Sequence, residues 1–213
     1  MLFNDDKRCE AIKSEFLSRY EKPKSELIYQ NPFQLVVSVV LSAQCTDKRV
    51  NLITPHLFKK FPTPNEMSKA SFNQVQKLIF SCSFANNKAK YLIDLSKQIL
   101  ENYDGEVPLD EVELQKLSGV GRKTAHVVLI ELLDANLMAV DTHVFRTAHR
   151  LGLSDAKNVL NTERDLTECF KTDLATLHQA MVLFGRYICK SKSPDCEKCF
   201  LTEFCVSKES FKA

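Results

Sequence analysis

Glycine is scarce in this chain, with five among 213 residues, and no stretch alternates strictly between apolar and polar side chains. Without that period of two there is no half-buried strand to read. Charge of one sign is missing too. Twenty-nine Lys and Arg against 27 Asp and Glu leave a net charge of +2, which excludes a polybasic tail or a histone-like binder. Any affinity for nucleic acid must then come from charge clustered on one face. No long hydrophobic run is present; the longest, residues 35–43, is far short of a membrane span. The opening MLFNDDKRCE is charged where a secretion signal would be apolar, so a cytoplasmic protein is expected. Eight cysteines in that setting argue against a disulfide framework, and Cys9, Cys45, Cys82 and Cys169 are expected to be buried or half-buried thiols.

What remains is material for helices. Hydrophobic side chains make up 44% of the chain, enough to bury a core. Ile12, Phe16 and Leu17 share one face of a predicted N-terminal helix. Pro32 opens a second, whose run over 35–41 should be buried all round. Residues 47–61 predict a third helix, kinked or divided at Pro55. Phe72, Val75, Leu78 and Ile79 form a stripe, and residues 88–103 repeat the pattern up to a stop at Asp104-Gly105. Residues 111–116, 125–133, 142–151, 156–170 and 174–189 complete the set. The expected class is all-α.

Half of the cysteines are compressed into seventeen residues: Cys189, Cys196, Cys199 and Cys205, spaced C-x6-C-x2-C-x5-C. Four soft thiolates so close can fill four coordination positions, of zinc or of an iron–sulfur cluster. Spacing alone does not choose, although a cubane accepts the unequal loops more readily than zinc, which usually takes two short pairs.

The segment LSGVGRKTA, residues 117–125, lies between two helical stretches. Two glycines around Val120 permit a tight turn, which leaves free N–H groups at a helix start, where a phosphate can bind. The plain alternative is a helix–turn–helix corner with no ligand. Arg122 and Lys123 tilt the reading toward phosphate, and the absence of a preceding strand excludes a P-loop.

LSGVGRKTA resembles the helix–hairpin–helix of endonuclease III-type DNA glycosylases. LSAQCTD at residues 41–47, GEVP at 105–108 and AVDTHVFR at 139–146 are similar to that family's motifs as well, in the same order, and so is the cysteine spacing. The resemblance covers nearly the whole chain. It implies a [4Fe–4S] cluster on the four cysteines, Lys123 as nucleophile, Asp141 as the essential carboxylate, and Gln44 as the residue that fills the gap left by an extruded base. One segment departs from the pattern. SCSFANNK, residues 81–88, stands where the family carries a sequence near I-G-L-Y-N-S-K-A, so Phe84 takes the place of the leucine that wedges into the DNA stack. An aromatic ring can still restack with a base.

The chemistry fits those roles. A lysine amine attacking C1′ displaces the base and forms a Schiff base, and loss of a C2′ proton then breaks the strand. Asp141 sits where an ordinary helix N-cap would, and the capping and catalytic readings are compatible: a fixed anion stabilises positive charge developing on the sugar. DNA contacts are expected from Gln44, Phe84, Gly119, Gly121, Arg122, His143 and Arg146, and from Lys190 and Lys192 in the cysteine loop. His143 and Arg146 could equally be structural. Two lobes are expected: a six-helix lobe over 25–135 with the hairpin, and a cluster lobe of 1–24 with 136–213, the active site lying in the cleft between them. The implied activity is excision of oxidised pyrimidines from duplex DNA followed by abasic-site cleavage, by a monomer working at the nucleoid of a bacterial-type cell. The rivals are an adenine-type glycosylase without lyase activity, an 8-oxoguanine glycosylase, which would lack these four cysteines, and a non-enzymatic, metal-dependent DNA-binding module.

Overall fold

The computed structural model describes residues 6–211. Regular structure among them is wholly helical, with eleven α-helices and three 3₁₀ turns. No helix among these residues is long and apolar enough to cross a membrane. The chain divides into two compact units, Glu26–Leu132 and the described parts of Met1–Ser25 with Leu133–Ala213.

The Glu26–Leu132 unit holds α2 (Pro32–Ser42), α3 (Asp47–Lys60), α4 (Pro64–Ser68), α5 (Phe72–Ile79), α6 (Ala85–Asn102), α7 (Glu111–Lys116) and α8 (Arg122–Leu133), the last ending one residue into the other unit. That makes seven helical segments. Periodicity does not register α4, a five-residue turn opened by Pro64. Asn31 caps α2, its side chain accepting from Gln34 N, and Pro32 occupies the first turn, where a missing N–H costs nothing. Residues 33–41 of that helix are all buried. Helix α6 packs against α2, α4 and α5, and α3 against α2 and α5. Of the kink or division expected at Pro55, the division does not occur: α3 runs unbroken to Lys60. Val50, Ile53 and Leu57 are buried on one face on both sides of the proline, so packing outweighs one lost backbone bond.

The other unit contains α1 (Asp6–Arg19), α9 (Thr142–Arg150), α10 (Val159–Phe170) and α11 (Leu174–Tyr187), then the cysteine loop with its 3₁₀ turns. Helix α10 begins at Val159 because Asn158 caps it, accepting from Asn161 N. Phe16, Phe184 and Phe200 meet edge to face, with centroids 5.3–5.8 Å apart. Phe200 and the fully buried Leu201 thus anchor the cysteine loop in the core of this unit. Gly185 lets α9 and α11 approach closely; a Cβ there would lie 2.9 Å from the His143 Cβ. Cys9 and Cys169 are not thiols as expected but a disulfide. Their Cα atoms lie 5.5 Å apart because α1 packs on α10, a proximity invisible across 160 residues of sequence.

Candidate functional site

Asp110 caps α7, its Oδ1 accepting from Val112 N and Glu113 N at 2.9 and 3.0 Å. The helix stops at Leu117, and the chain turns through Ser118–Gly121 into α8. Gly119 has φ +79°, and a Cβ there would sit 2.9 Å from Cβ, Cγ and Cδ2 of Tyr91. Gly121 is different, since nothing lies within 4 Å of an added Cβ. Its carbonyl accepts from Ala125 N at 3.0 Å, which makes Gly121 the cap of α8. Gln98 on α6 braces the turn from both sides, accepting from Ser118 N at 2.7 Å and donating to Lys116 O at 3.2 Å. Sequence reading missed Gln98, because its partners lie 18 and 20 residues away.

Arg122 and Lys123 occupy the exposed first turn of α8. Arg122 donates to Glu111 Oε1 at 3.0 Å, and the same oxygen lies 3.1 Å from Nε2 of the buried His126. Among the described residues, no hydrogen bond or ion pair engages the Lys123 amine. The turn therefore presents one tethered cation and one untethered amine beside the N–H groups of a helix start.

Three exposed residues in the same unit adopt the left-handed backbone that side chains disfavour: Gln44, φ +54°, just after α2, Phe84, φ +57°, just before α6, and Asp104, φ +52°, at the stop after α6. Such strain clusters where function demands it. Phe84 is 60% exposed, uncommon for a phenylalanine. Lys88, by contrast, is buried, and donates to Leu41 O at 2.8 Å, Ala43 O at 2.6 Å and Cys82 Sγ at 3.2 Å. It ties the loop at 81–84 to the end of α2.

In the other unit, Asp141 caps α9. Its Oδ1 accepts from His143 N and Val144 N, both at 2.8 Å. Oδ2 takes no hydrogen bond from the described residues and remains available to a ligand. Arg146 is committed elsewhere: Nε donates to Cys189 O at 3.0 Å, and Nη2 to Gly185 O at 2.6 Å. Nη2 also lies 3.2 Å from His143 Nδ1. Burial holds this guanidinium below its ordinary range. Of the readings open from sequence for Arg146, this geometry favours the structural one over DNA contact, and His143 goes with it.

Arg150, one turn further on, is the hub of the cysteine loop. It donates to Lys190 O at 2.7 Å, Ser191 O at 2.8 Å and Cys189 Sγ at 3.4 Å, while its own carbonyl accepts from Val206 N at 3.0 Å. Cys199 and Cys205 each follow a 3₁₀ turn with the same backbone, φ −78° and ψ 113–114°. All four loop cysteines are free thiols. Burial pushes the Cys199 and Cys205 thiols up, and the charges of their neighbours in the set add to the shift. Thiols that disfavour one another's ionisation are unfavourable as bare anions and favourable around a cationic metal–sulfur core. No three His, Cys, Asp or Glu side chains among the described residues stand in a metal-holding arrangement, so the fit is one of donor type and order. Lys190 and Lys192 are exposed, whereas Lys198 pairs with Asp195 at 3.3 Å.

Comparison with known proteins gives this arrangement its relatives. The family model for the HhH-GPD superfamily base excision DNA repair protein matches residues 37–172. Endonuclease III of Rickettsia conorii is 45% identical over 191 residues, 89% of this chain and 91% of that protein. Endonuclease III of Bacillus subtilis is 43% identical over 201 residues, 93% of this chain and 92% of that one. Among solved structures, an endonuclease III trapped as a covalent intermediate with DNA superposes with a TM-score of 0.90 at 36% identity, covering 97% of this chain and 98% of that one. A non-covalent endonuclease III–DNA complex superposes equally well. The chain belongs to the endonuclease III family of the HhH-GPD superfamily.

Proposed function

We infer that this protein is a bifunctional DNA glycosylase and abasic-site lyase, acting on oxidised pyrimidines in duplex DNA. The observation that carries the reading is the Lys123 amine: exposed, without a partner among the described residues, and two residues beyond a turn whose N–H groups suit a phosphate. A DNA-binding module needs no such amine, and Arg122, salt-bridged to Glu111, shows what a structural cation in this turn looks like. That a relative has been trapped covalently on DNA supports the same chemistry.

The Gly119–Gly121 turn grips the backbone, and Gln44 and Phe84 enter the stack, the first facing the orphaned base and the second restacking the gap. The Lys123 nitrogen attacks C1′, the C1′–N bond breaks, and the base departs with a proton. Loss of the ring oxygen bond gives the Schiff base, whose iminium acidifies C2′. Removal of that proton expels the 3′ phosphate and cuts the strand. Asp141, its Oδ1 fixed by two N–H groups, keeps Oδ2 as a fixed anion of the kind that stabilises positive charge developing on a sugar. Cys189, Cys196, Cys199 and Cys205 would hold a [4Fe–4S] cluster, which when bound stiffens the loop and takes no part in bond breaking. Lys190 and Lys192 then form a basic edge toward phosphates. A duplex DNA substrate supports a cytoplasmic setting in a bacterial-type cell, and a monomer is the proposed state.

Borohydride trapping tests the reading. Wild type should give a covalent adduct with DNA, linked at Lys123. Lys123→Gln should abolish trapping and strand cleavage while DNA affinity stays within about tenfold, since one charge-assisted contact is worth roughly 1.5 kcal/mol. Asp141→Asn should keep the cap, because asparagine caps almost as well, yet lose base removal by orders of magnitude. Trapping at the normal rate through another amine in Lys123→Gln overturns the assignment.

A further inference from the structure

One buried cation has no part in this mechanism. Lys88, in the first turn of α6, is 4% exposed, and no carboxylate among the described residues pairs with it. A charge taken out of water without a counter-charge is costly, and an apolar side chain would fill the same space at less cost. Its Nζ is directed at carbonyls instead. It donates to Leu41 O at 2.8 Å and Ala43 O at 2.6 Å, and lies 3.2 Å from Cys82 Sγ. These carbonyls close the C-terminal end of α2, where a cation is favoured, and Ala43 directly precedes Gln44. The Lys88 main chain works in the other direction, its N–H donating to Phe84 O at 3.0 Å. One residue therefore holds two left-handed corners, Gln44 through its side chain and Phe84 through its backbone. Cys82 adds a second tie between the segments, its Sγ donating to Leu41 O at 3.2 Å.

We propose that Lys88 is a positioning residue for base extrusion: it fixes the Gln44 turn against the Phe84 loop, so that both probing side chains enter the duplex as one unit. The proposal rests on the roles of Gln44 and Phe84 inferred above. A residue other than glycine persists in a left-handed conformation only where its surroundings over-determine it. At Gln44 part of that work is local: Cys45 N donates to Ser42 O at 3.0 Å, and Ser42 Oγ to Val39 O at 2.8 Å. Leu41 O and Ala43 O are held from outside the helix, by Lys88. Removing the ammonium orphans Ala43 O, one peptide away from the Gln44 corner, and lets the turn relax. The Phe84 corner stays, because its bond to residue 88 is made by the backbone. The two side chains then move independently, and a wedge that arrives without its partner must open the stack alone. The three Lys88 donors are all engaged, so none is left for a phosphate, and the residue acts through Gln44 and Phe84 rather than on DNA.

The test compares two rates on one preparation of the cluster-loaded protein. One is excision from a duplex carrying an oxidised pyrimidine; the other is cleavage of a duplex with a preformed abasic site, where no base has to be extruded. Lys88→Met keeps the length of the side chain and removes its donors. Excision by this variant should fall about tenfold or more relative to its abasic-site cleavage, as misplacement of about 1 Å in a positioned group would cause. Affinity for undamaged duplex should match wild type. The ratio of the two rates does not depend on the fraction of folded protein. Should Lys88→Met fail to accumulate, Lys88→Gln, whose shorter side chain cannot span both carbonyls, takes its place in the same comparison. A second readout comes from Phe84→Ala, which should slow excision far less in the Lys88→Met background than in wild type, because the two changes act on one step. The proposal is overturned if the ratio is unchanged, if both rates fall together, or if the effects of Lys88→Met and Phe84→Ala simply multiply. Weaker binding of undamaged duplex overturns it as well, since that is the mark of a plain phosphate contact. Wild-type protein that cleaves neither duplex overturns the glycosylase reading, and the proposal with it; the other failures leave that reading intact.

Discussion

The two glycines of the hairpin should respond to the same substitution in opposite ways. Gly119→Ala places a Cβ at φ +79°, a left-handed conformation that costs an L residue about 1–2 kcal/mol. The same Cβ would lie 2.9 Å from Cβ, Cγ and Cδ2 of Tyr91. Rotating the Tyr91 side chain moves Cγ and Cδ2 but not Cβ, which is fixed to the α6 backbone. Backbone must therefore shift, and overpacking of that kind costs about 1–3 kcal/mol. The sum, about 2–5 kcal/mol, is a large part of a stability of roughly 5–15 kcal/mol. Gly121→Ala meets neither obstacle, for its φ is ordinary and nothing lies within 4 Å of the new methyl. Alanine is a poorer N-cap than glycine but restricts the unfolded chain, so the net change in stability should stay within about 1 kcal/mol. On the proposed DNA contact, the space that Gly121 leaves open receives a phosphate, the group a helix start favours. Affinity for undamaged duplex should fall about tenfold, the equivalent of about 1.4 kcal/mol from weakened N–H contacts. Denaturant midpoints followed by far-ultraviolet circular dichroism give the first pair of values, and DNA titrations of the folded variants the second. A Gly119→Ala protein as stable as wild type would refute the steric argument. A Gly121→Ala protein with full DNA affinity would refute the phosphate argument while leaving the fold intact.

Two further outcomes follow from the charges. Burial first, then the Glu131 carboxylate that its hydroxyl reaches at 2.9 Å, pushes the Tyr29 phenol up to about 12. A raised value means that the folded state favours the neutral phenol, so its stabilisation is complete below about pH 10 and lost as pH rises toward about 12. With no tryptophan in the chain, tyrosinate absorbance should show this phenol titrating last, and Tyr29→Phe should flatten the alkaline loss of stability; an identical profile refutes the assignment. Replacing Lys190 and Lys192 by alanine should lower the slope of log K against log salt by about 0.9 for each lost phosphate contact, equally on damaged and undamaged duplexes. An unchanged slope removes the cysteine loop from the DNA interface.

The helical class could be read from the chain alone because its causes are local. Asn31, Ser71, Asp110, Asp141 and Asn158 each cap a helix through a residue two or three positions ahead, and a run of residues carries that pairing within itself. The same locality explains the misses. Helix α4 is a single turn, too short for a period to show. Pro55 breaks the local rule, and a distant packing surface overrides it. The disulfide, the Gln98 brace, the Lys88 tether and the Arg150 hub all join residues 18 to 160 positions apart. None has a spacing to recognise. The candidate site divides along the same line. The hairpin, the cap at Asp141 and the cysteine loop are each contiguous, so residue type and spacing singled them out. Whether Arg146 faces solvent or its own backbone depends on where α11 ends, since Gly185 O and Cys189 O are what it binds. A sequence motif can therefore nominate a charged residue for DNA, but only the carbonyls around it decide whether its charge is already spoken for. On that criterion Lys123, Lys190 and Lys192 stay available, and Arg122, Arg146 and Lys198 do not.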